Sequence, residues 1–313
     1  MHICYDLRKL DLSAHHRPVV TMGTFDGVHL GHQEILRRVT AKARGTGRKS
    51  VLLTYHPHPR QVLDPRTPIQ LLTTLEEKIE LIEAFGIEDM IVLNFDQTLA
   101  NTSAREFVDG ILVKKLLPGH LVVGYDHGFG KDRQGGIGIL QQTGELYDFQ
   151  VEVVGPVTFK DENVSSSKIR KAFMADNFNA AVQMLGHSYP LRGTVRMGTG
   201  LGKKLGYPTC NLNLSEDKLC PPRGIYRCSI QLEKENKPGM AYIGTKPTLS
   251  DSAELSVEVH IFDFQGTLYD RAITVNLKEW IRPDQRFADL EELRSQIAKD
   301  ERTIREKTEK REP

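Results

Sequence analysis

His29 and His32 lie three residues apart in the run Gly23-Thr24-Phe25-Asp26-Gly27-Val28-His29-Leu30-Gly31-His32. At the start of a helix, that spacing puts both imidazoles on one face of the first turn. A helix N-terminus carries unpaired amides and the positive end of the helix dipole, which suits phosphate. Imidazoles held there can donate hydrogen bonds to phosphoryl oxygens as negative charge builds. Gly31 has no side chain, so a base or ribose could approach the backbone closely. An arbitrary H-x-x-H more often marks ordinary histidines beside a turn, but the GTFDG turn and the strand-to-helix placement reverse that balance. A metal site is the weaker reading, because no third ligand is indicated and the H-E-x-x-H spacing is absent.

Further along, Ser165-Ser166-Ser167-Lys168-Ile169-Arg170 sets three hydroxyls before two cations at the expected start of a helix. Hydroxyls, free amides and cations together suit a triphosphate or a leaving pyrophosphate. The same residues also read as a serine N-cap followed by two surface cations. A second chemical segment runs Gly198-Thr199-Gly200-Leu201-Gly202-Lys203-Lys204-Leu205-Gly206-Tyr207-Pro208-Thr209-Cys210-Asn211. It is no Walker A loop, because Lys204 rather than Ser or Thr follows Lys203. Its glycines either aim backbone amides at phosphate or form a β-turn. In an extended stretch Thr209 and Asn211 point the same way, the start of a magnesium site that nucleotide phosphates and water would complete. Glu258 lies in an alternating run where Val257, Val259 and Ile261 read as core, so by alternation alone it is an outward carboxylate. In Thr54-Tyr55-His56-Pro57-His58-Pro59, the prolines end a strand, and His58 serves either a ligand or a local hydrogen bond. The loop over 124–136 is a plain connection or a backbone approach to a planar ligand.

The elements that must position these residues differ between the two halves. Residues 18–24, 50–55, 90–95 and 120–125 read as buried strands. Helical patterns lie between them: residues 29–44, a helix opened by the Thr74–Glu77 capping box and ending near Gly86, and one opened by Ser103–Glu106 and ending before Pro118. Such alternation predicts a Rossmann-like, doubly wound parallel sheet. After about residue 186 the rhythm changes. Segments 189–197, 225–232, 239–244, 255–264 and 271–277 read as strands of a small antiparallel barrel or sandwich. A helix follows from about Phe287 to Lys310, its stripe marked by Leu290, Leu293, Ile297 and Ile304. The period change places the domain boundary at 186/187, giving domains 1–186 and 187–313.

The 313 residues carry 42 Lys+Arg against 41 Asp+Glu, a net charge of +1. That balance argues against a bulk nucleic-acid binder. At 39% hydrophobic and 27% charged, the chain is suited to packed cores. No apolar run approaches the roughly 20 residues a bilayer crossing needs, so a membrane protein is not expected. Cys4, Cys210, Cys220 and Cys228 show no C-x-x-C spacing and read as reduced thiols of a cytoplasmic protein.

With these residues in view, GTFDGVHLGHQ, TYHPHP, Val123-Gly124-Tyr125-Asp126-His127-Gly128-Phe129-Gly130-Lys131 and SSSKIR together resemble the FAD synthetase module of bacterial bifunctional riboflavin kinase/FAD synthetases. The resemblance spans most of residues 18–176. The second half resembles the riboflavin kinase module. The matches there are the glycine loop with Pro208-Thr209-Cys210-Asn211, then Pro222-Arg223-Gly224-Ile225-Tyr226, Ile243-Gly244-Thr245-Lys246-Pro247-Thr248, the strand around Glu258, and Arg282-Pro283 with Phe287. Cys210 stands where that family has alanine. Lys203 stands where arginine is common, and a lysine cannot make arginine's bidentate phosphate contact.

The resemblance implies two reactions: ATP-dependent phosphorylation of riboflavin to FMN, then adenylylation of FMN to FAD with release of pyrophosphate. It implies catalytic roles for His29, His32 and Glu258. Nucleotide contacts would come from Gly23, Phe25, Gly31, Ser166, Lys168, Arg170, Gly198, Gly200, Gly202 and Lys203. Flavin contacts would come from His58, Gly124, Asp126, Phe129 and Arg282, and magnesium contacts from Thr209 and Asn211. ATP, riboflavin and FMN are then the expected partners, with no nucleic acid and no membrane. Two other readings stay open on the residues alone. One is another nucleotidyltransferase with an accessory barrel, and the other is a flavin-binding regulator without catalysis.

Overall fold

The computed structural model describes residues 1–6, 17–67, 69–232, 235–246 and 254–310. Pro247 and Thr248, part of the kinase-like match, lie outside the described residues. The chain divides into two compact units, Met1–Ser166 and Ser167–Pro313.

The first unit holds strands β1 (His2–Cys4), β2 (Val19–Met22), β3 (Ser50–His56), β4 (Asp89–Asn94), β5 (His120–Gly124) and β6 (Gln150–Val154), in the order β1-β4-β3-β2-β5-β6. Every neighbouring pair is parallel. Helices α1 (Leu30–Thr46), α2 (Pro59–Leu63), α3 (Leu75–Glu83), α4 (Gln97–Asn101), α5 (Ala104–Phe107) and α6 (Ile137–Tyr147) connect them. The hairpin β7 (Thr158–Phe159) with β8 (Glu162–Asn163) follows. Alternate strand residues bury opposite ways. Val20, Met22, Leu53 and Leu121 pack with Phe107, Leu112 and Leu140 on one face, while Val19, Leu52, Met90 and Val122 pack with Leu36, Val39 and Ile82 on the other. Helices therefore cover both faces, as the alternating pattern predicts.

The strand order has one consequence for function. From β2 the chain steps to β3 and β4 on one side, then returns to place β5 on β2's other side. The carboxyl ends of β2 and β5 flank a topological switch point, the place where open parallel sheets bind ligands.

The two capping boxes form as expected. Thr74 N donates to Glu77 Oε2 at 2.9 Å and Ser103 N to Glu106 Oε2 at 2.8 Å. The helix after Ser103 differs from expectation beyond its first turn: Val108–Leu116 winds with π spacing and ends at Leu117, whose φ is 37°.

In the second unit, α7 (Ser166–Met174, whose first residue closes the first unit) and α8 (Phe178–Leu185) precede β9 (Tyr189–Arg196), α9 (Leu201–Leu205), β10 (Cys210–Leu214), β11 (Gly224–Gln231), β12 (Asn236–Lys246), β13 (Glu254–Ile261), β14 (Ala272–Arg282) and α10 (Leu290–Glu309). The six strands close into an antiparallel barrel ordered β10-β13-β12-β11-β14-β9. β10 is a strand that the hydropathy pattern alone does not single out, and it closes the barrel between β9 and β13. Helix α10 lies against the barrel through Ile304, Ile297, Ile225, Met240 and Phe262. Leu290, expected in its apolar stripe, is exposed at the helix start.

Candidate functional sites

The first site grows from the end of β2. Between Met22 and Leu30 the chain makes a tight turn in which Phe25, Gly27 and Val28 all adopt positive φ, at 49°, 81° and 39°. Such backbone is costly for Phe and Val, so the turn must be held from outside. Thr54 Oγ1 donates to Thr24 O at 3.2 Å, and Gly27 N donates to Thr73 Oγ1 at 3.0 Å. Thr73 N donates to Asp26 Oδ1 at 3.1 Å, Gln33 Nε2 to Val28 O at 3.0 Å, and Ser166 Oγ to Asp26 O at 2.9 Å. Five bonds from four other segments thus fix the backbone that launches α1.

His29 is the N-cap of α1, and its Nδ1 accepts from His32 N at 3.4 Å. Accepting through Nδ1 leaves the ring proton on Nε2. The His29 and His32 rings stack, with centroids 3.6 Å apart and an interplanar angle of 16°. Phe25 abuts His32, with centroids 4.9 Å apart. His32 Nδ1 is buried with no hydrogen-bond partner among the described residues. Burial, then His29, then Lys78 hold the His32 imidazole well below its usual pKa, so it is neutral at pH 7. Gly31 sits against the His29 ring, where an added Cβ would lie 3.3 Å from Cε1 and Nδ1, and Gly23 is similarly close to Phe25.

His58, Gly124, Asp126 and Phe129, also expected at this site, close or follow the neighbouring strands β3 and β5. His58 follows β3 and caps α2, its Nδ1 accepting from Arg60 N at 3.1 Å. Gly124 closes β5, and Asp126 is exposed in the next turn. Phe129 is buried against Phe107, centroids 5.6 Å apart, and bridges to Gly135. Lys168 and Arg170 fall on α7, both half-buried.

The second site is assembled by strand register. Asn211 of β10 pairs with Glu258 of β13, and Glu258 pairs with Tyr242 of β12. Directly paired residues share a face, so the three side chains form a row across adjacent strands. It is the outer face, because Met240, two residues before Tyr242, packs under α10 there. Thr209 Oγ1 donates to Glu258 Oε2 at 3.2 Å. Asn211 Oδ1 is buried with no hydrogen-bond partner among the described residues. The glycine run folds directly over this row: a Cβ on Gly198 would collide with the Asn211 side-chain amide, and one on Gly202 would lie 3.1 Å from Thr209 Oγ1. Gly200 and Lys203 belong to the one-turn helix α9 at its start and middle, and Lys203 is exposed.

Across the chain, a family model described as FAD synthetase matches residues 11–168, and one described as riboflavin kinase matches residues 185–308. The bifunctional riboflavin kinase/FMN adenylyltransferase of Pseudomonas fluorescens is 39% identical over 91% of both chains. The protein of that name from Escherichia coli K12 is 35% identical over 92% of both. The chain belongs to the bifunctional riboflavin kinase/FMN adenylyltransferase family. A crystal structure from Streptococcus pneumoniae titled a macrolide-efflux protein is also similar, with a TM-score of 0.83 and 28% identity, covering 97% of this chain and 98% of that one.

Against this family background, one expected residue sits in a structural bond network. Arg282 donates to both oxygens of buried Asp300 on α10, through Nε at 2.9 and 3.0 Å and Nη2 at 2.7 Å, and to Pro283 O through Nη1. Its guanidinium thereby ties α10 to the end of β14. Other residues at the sites went unread in the sequence. Thr54, Thr73 and Lys78 brace the first turn from 30 or more positions away. Tyr242 reaches the second site only through register, its hydroxyl donating to Asp284 Oδ2 at 3.2 Å. No local spacing announces either set.

Proposed function

We propose that the chain makes FMN at the barrel site and FAD at the parallel-sheet site, with residues 1–186 serving adenylyl transfer and 187–313 the kinase. What carries the reading is that each half assembles its own reactive set: a stacked imidazole pair at a switch point in one, a Thr–Asn–Glu row under a glycine loop in the other. At the barrel, Glu258 accepts the proton of the riboflavin 5′-hydroxyl as that oxygen bonds the γ-phosphorus of ATP and ADP leaves. Thr209 orients the carboxylate through its hydrogen bond.

The oxygen donors of Thr209 and Asn211 fit a hard divalent cation, since Asn211 Oδ1 is a buried acceptor that no donor among the described residues satisfies. Magnesium held there would offset charge on the nucleotide phosphates. The glycines let backbone lie close over that row.

At the sheet, an FMN phosphate oxygen attacks the α-phosphorus of ATP and pyrophosphate departs. The attacking oxygen is already anionic, so no base is needed and positioning dominates. His29 and His32 hydrogen-bond the α-phosphoryl oxygens, with Gly23, Phe25 and Gly31 beside the nucleotide. The assignment of Ser166, Lys168 and Arg170 to the pyrophosphate, and of His58, Gly124, Asp126 and Phe129 to the flavin, is carried by their sequence motifs. We place the enzyme in the cytoplasm, in keeping with four free thiols and a demand for ATP. Incubating the chain with riboflavin and Mg-ATP and separating the products tests the whole reading. FMN followed by FAD is expected, and failure to phosphorylate riboflavin or to convert added FMN would refute the corresponding half.

A further inference from the structure

Two lysines are almost fully buried among the described residues, and they differ in kind. Lys218 lies 4.1 Å over the Tyr189 ring, an ordinary way to settle a cation. Lys78, 6% exposed on the first turn of α3, makes one long side-chain bond among the described residues, from Nζ to Thr54 Oγ1 at 3.5 Å. An ammonium has three protons to donate, and leaving them poorly matched out of water is expensive. A methionine would fill the same space at lower cost. The Thr74–Glu77 capping box nevertheless holds the lysine in place, with Lys78 N donating to Thr74 O at 3.0 Å.

What the ammonium faces explains its presence. Thr54 Oγ1 accepts from Lys78 and donates to Thr24 O, so the charge is relayed by one hydroxyl to the turn that carries Phe25 and Asp26. Asp26 on that turn is 1% exposed, and its charge favours the protonated lysine. His32 of α1 feels the same charge, which opposes its protonation. Glu77, next to it on α3, is occupied in the capping box.

We propose that Lys78 is a positioning residue for adenylyl transfer, fixing the Thr24–Asp26 turn through Thr54 and compensating Asp26 beside the stacked His29–His32 pair. This rests on the reading that the His29–His32 site transfers the adenylyl group. Two imidazoles stacked at 3.6 Å cannot comfortably both be cations, so a fixed positive charge nearby preserves the stack. Burial draws the lysine's own pKa down to about 8, so it remains protonated at neutral pH.

The test uses the full chain as K78M, K78R and T54V, with riboflavin phosphorylation as the internal measure of a folded protein. In K78M, kcat for FAD formation should fall about 10- to 100-fold, with KM for FMN nearly unchanged. With the repulsion removed, His32 should titrate at higher pH by imidazole NMR, and the acid limb of FAD formation should move up with it. K78R should keep most of the activity. If K78M also loses riboflavin phosphorylation, T54V decides, and it should lower FAD formation about 10-fold with phosphorylation intact. Wild-type rates in K78M or T54V would overturn the proposal. So would equal losses in K78M and K78R with an unmoved His32 titration, which would mark a packing role alone. Failure of the unaltered chain to make FAD would instead defeat the underlying reading, and the NMR shift would still report on the lysine.

Discussion

The sheet site and the barrel site place their reactive groups by opposite means. In the first, a nine-residue stretch bends through three positive-φ positions and delivers two imidazoles within one helical turn. In the second, no stretch of chain contains the site: Thr209, Glu258 and Tyr242 come from three regions and meet only because antiparallel strands pair in one register. A turn-built site keeps its reactive groups together in the chain but depends on braces from distant segments. A register-built site depends on pairing, and a one-residue slip would send Glu258 to the other face.

The sharpest way to break this contrast is to remove one group from each site and assay both reactions. E258Q should cut riboflavin phosphorylation by about 10²–10⁴-fold while added FMN is still adenylylated. H32A should cut FAD formation by about 10²–10³-fold with phosphorylation unaffected. Joint loss of both activities in either variant, with the chain still folded, would mean that the two sites are not chemically separate.

Arg282 sharpens the comparison at the next level. A bond to Asp300 explains its position without any ligand, so R282M and D300N should weaken the second unit alike, by about 3 kcal/mol in denaturant unfolding. A much larger rise in riboflavin KM for R282M than for D300N would instead reveal a direct flavin contact. N211A is expected to raise the magnesium concentration for half-maximal phosphorylation by about 10-fold or more, leaving adenylylation unchanged. An unchanged magnesium requirement would remove Asn211 from the metal's surroundings.

The smallest expected effect concerns pH. Burial, then Arg133, draws the His127 imidazole down to about 4, and its Nε2 has no partner among the described residues. A group lowered in the folded state is protonated first in the unfolded chain. Stability from His127 is therefore full above about pH 6.5 and is lost as pH falls toward 4, on the order of 1–3 kcal/mol. Chemical unfolding of wild type and H127F at pH 7 and pH 4.5 checks this, with the variant expected to lose less on acidification. Equal losses would count against it.

The two construction modes also explain what the sequence disclosed. The turn and its histidines are contiguous, so their spacing and the strand before them were readable, as were the capping boxes that open α3 and α5. The four inner parallel strands, β2 to β5, announced themselves as continuous apolar runs because both faces are covered, whereas the edge strands β1 and β6 have no such run and went unread. Strand β10, only five residues long and preceded by glycines and a proline, has no such run, and it became a strand only through its partners β9 and β13. Glu258 read by alternation as a surface carboxylate, which is geometrically right. What alternation could not show was Asn211 across from it and Thr209 bonded to it. Lys78 looked like one more charge in a helix, since its burial depends on Asp26 and Thr54 arriving from elsewhere.

Val28 illustrates how tightly the turn-built site constrains its own history. It is fully buried in the hydrophobic layer under α1, yet its φ is 39°, a backbone state that branched side chains resist. Glycine would accept the backbone but leave a hole in that layer, and isoleucine or leucine would fill the hole while keeping the backbone cost. Each escape from one demand worsens the other, so neutral drift at position 28 has almost nowhere to go.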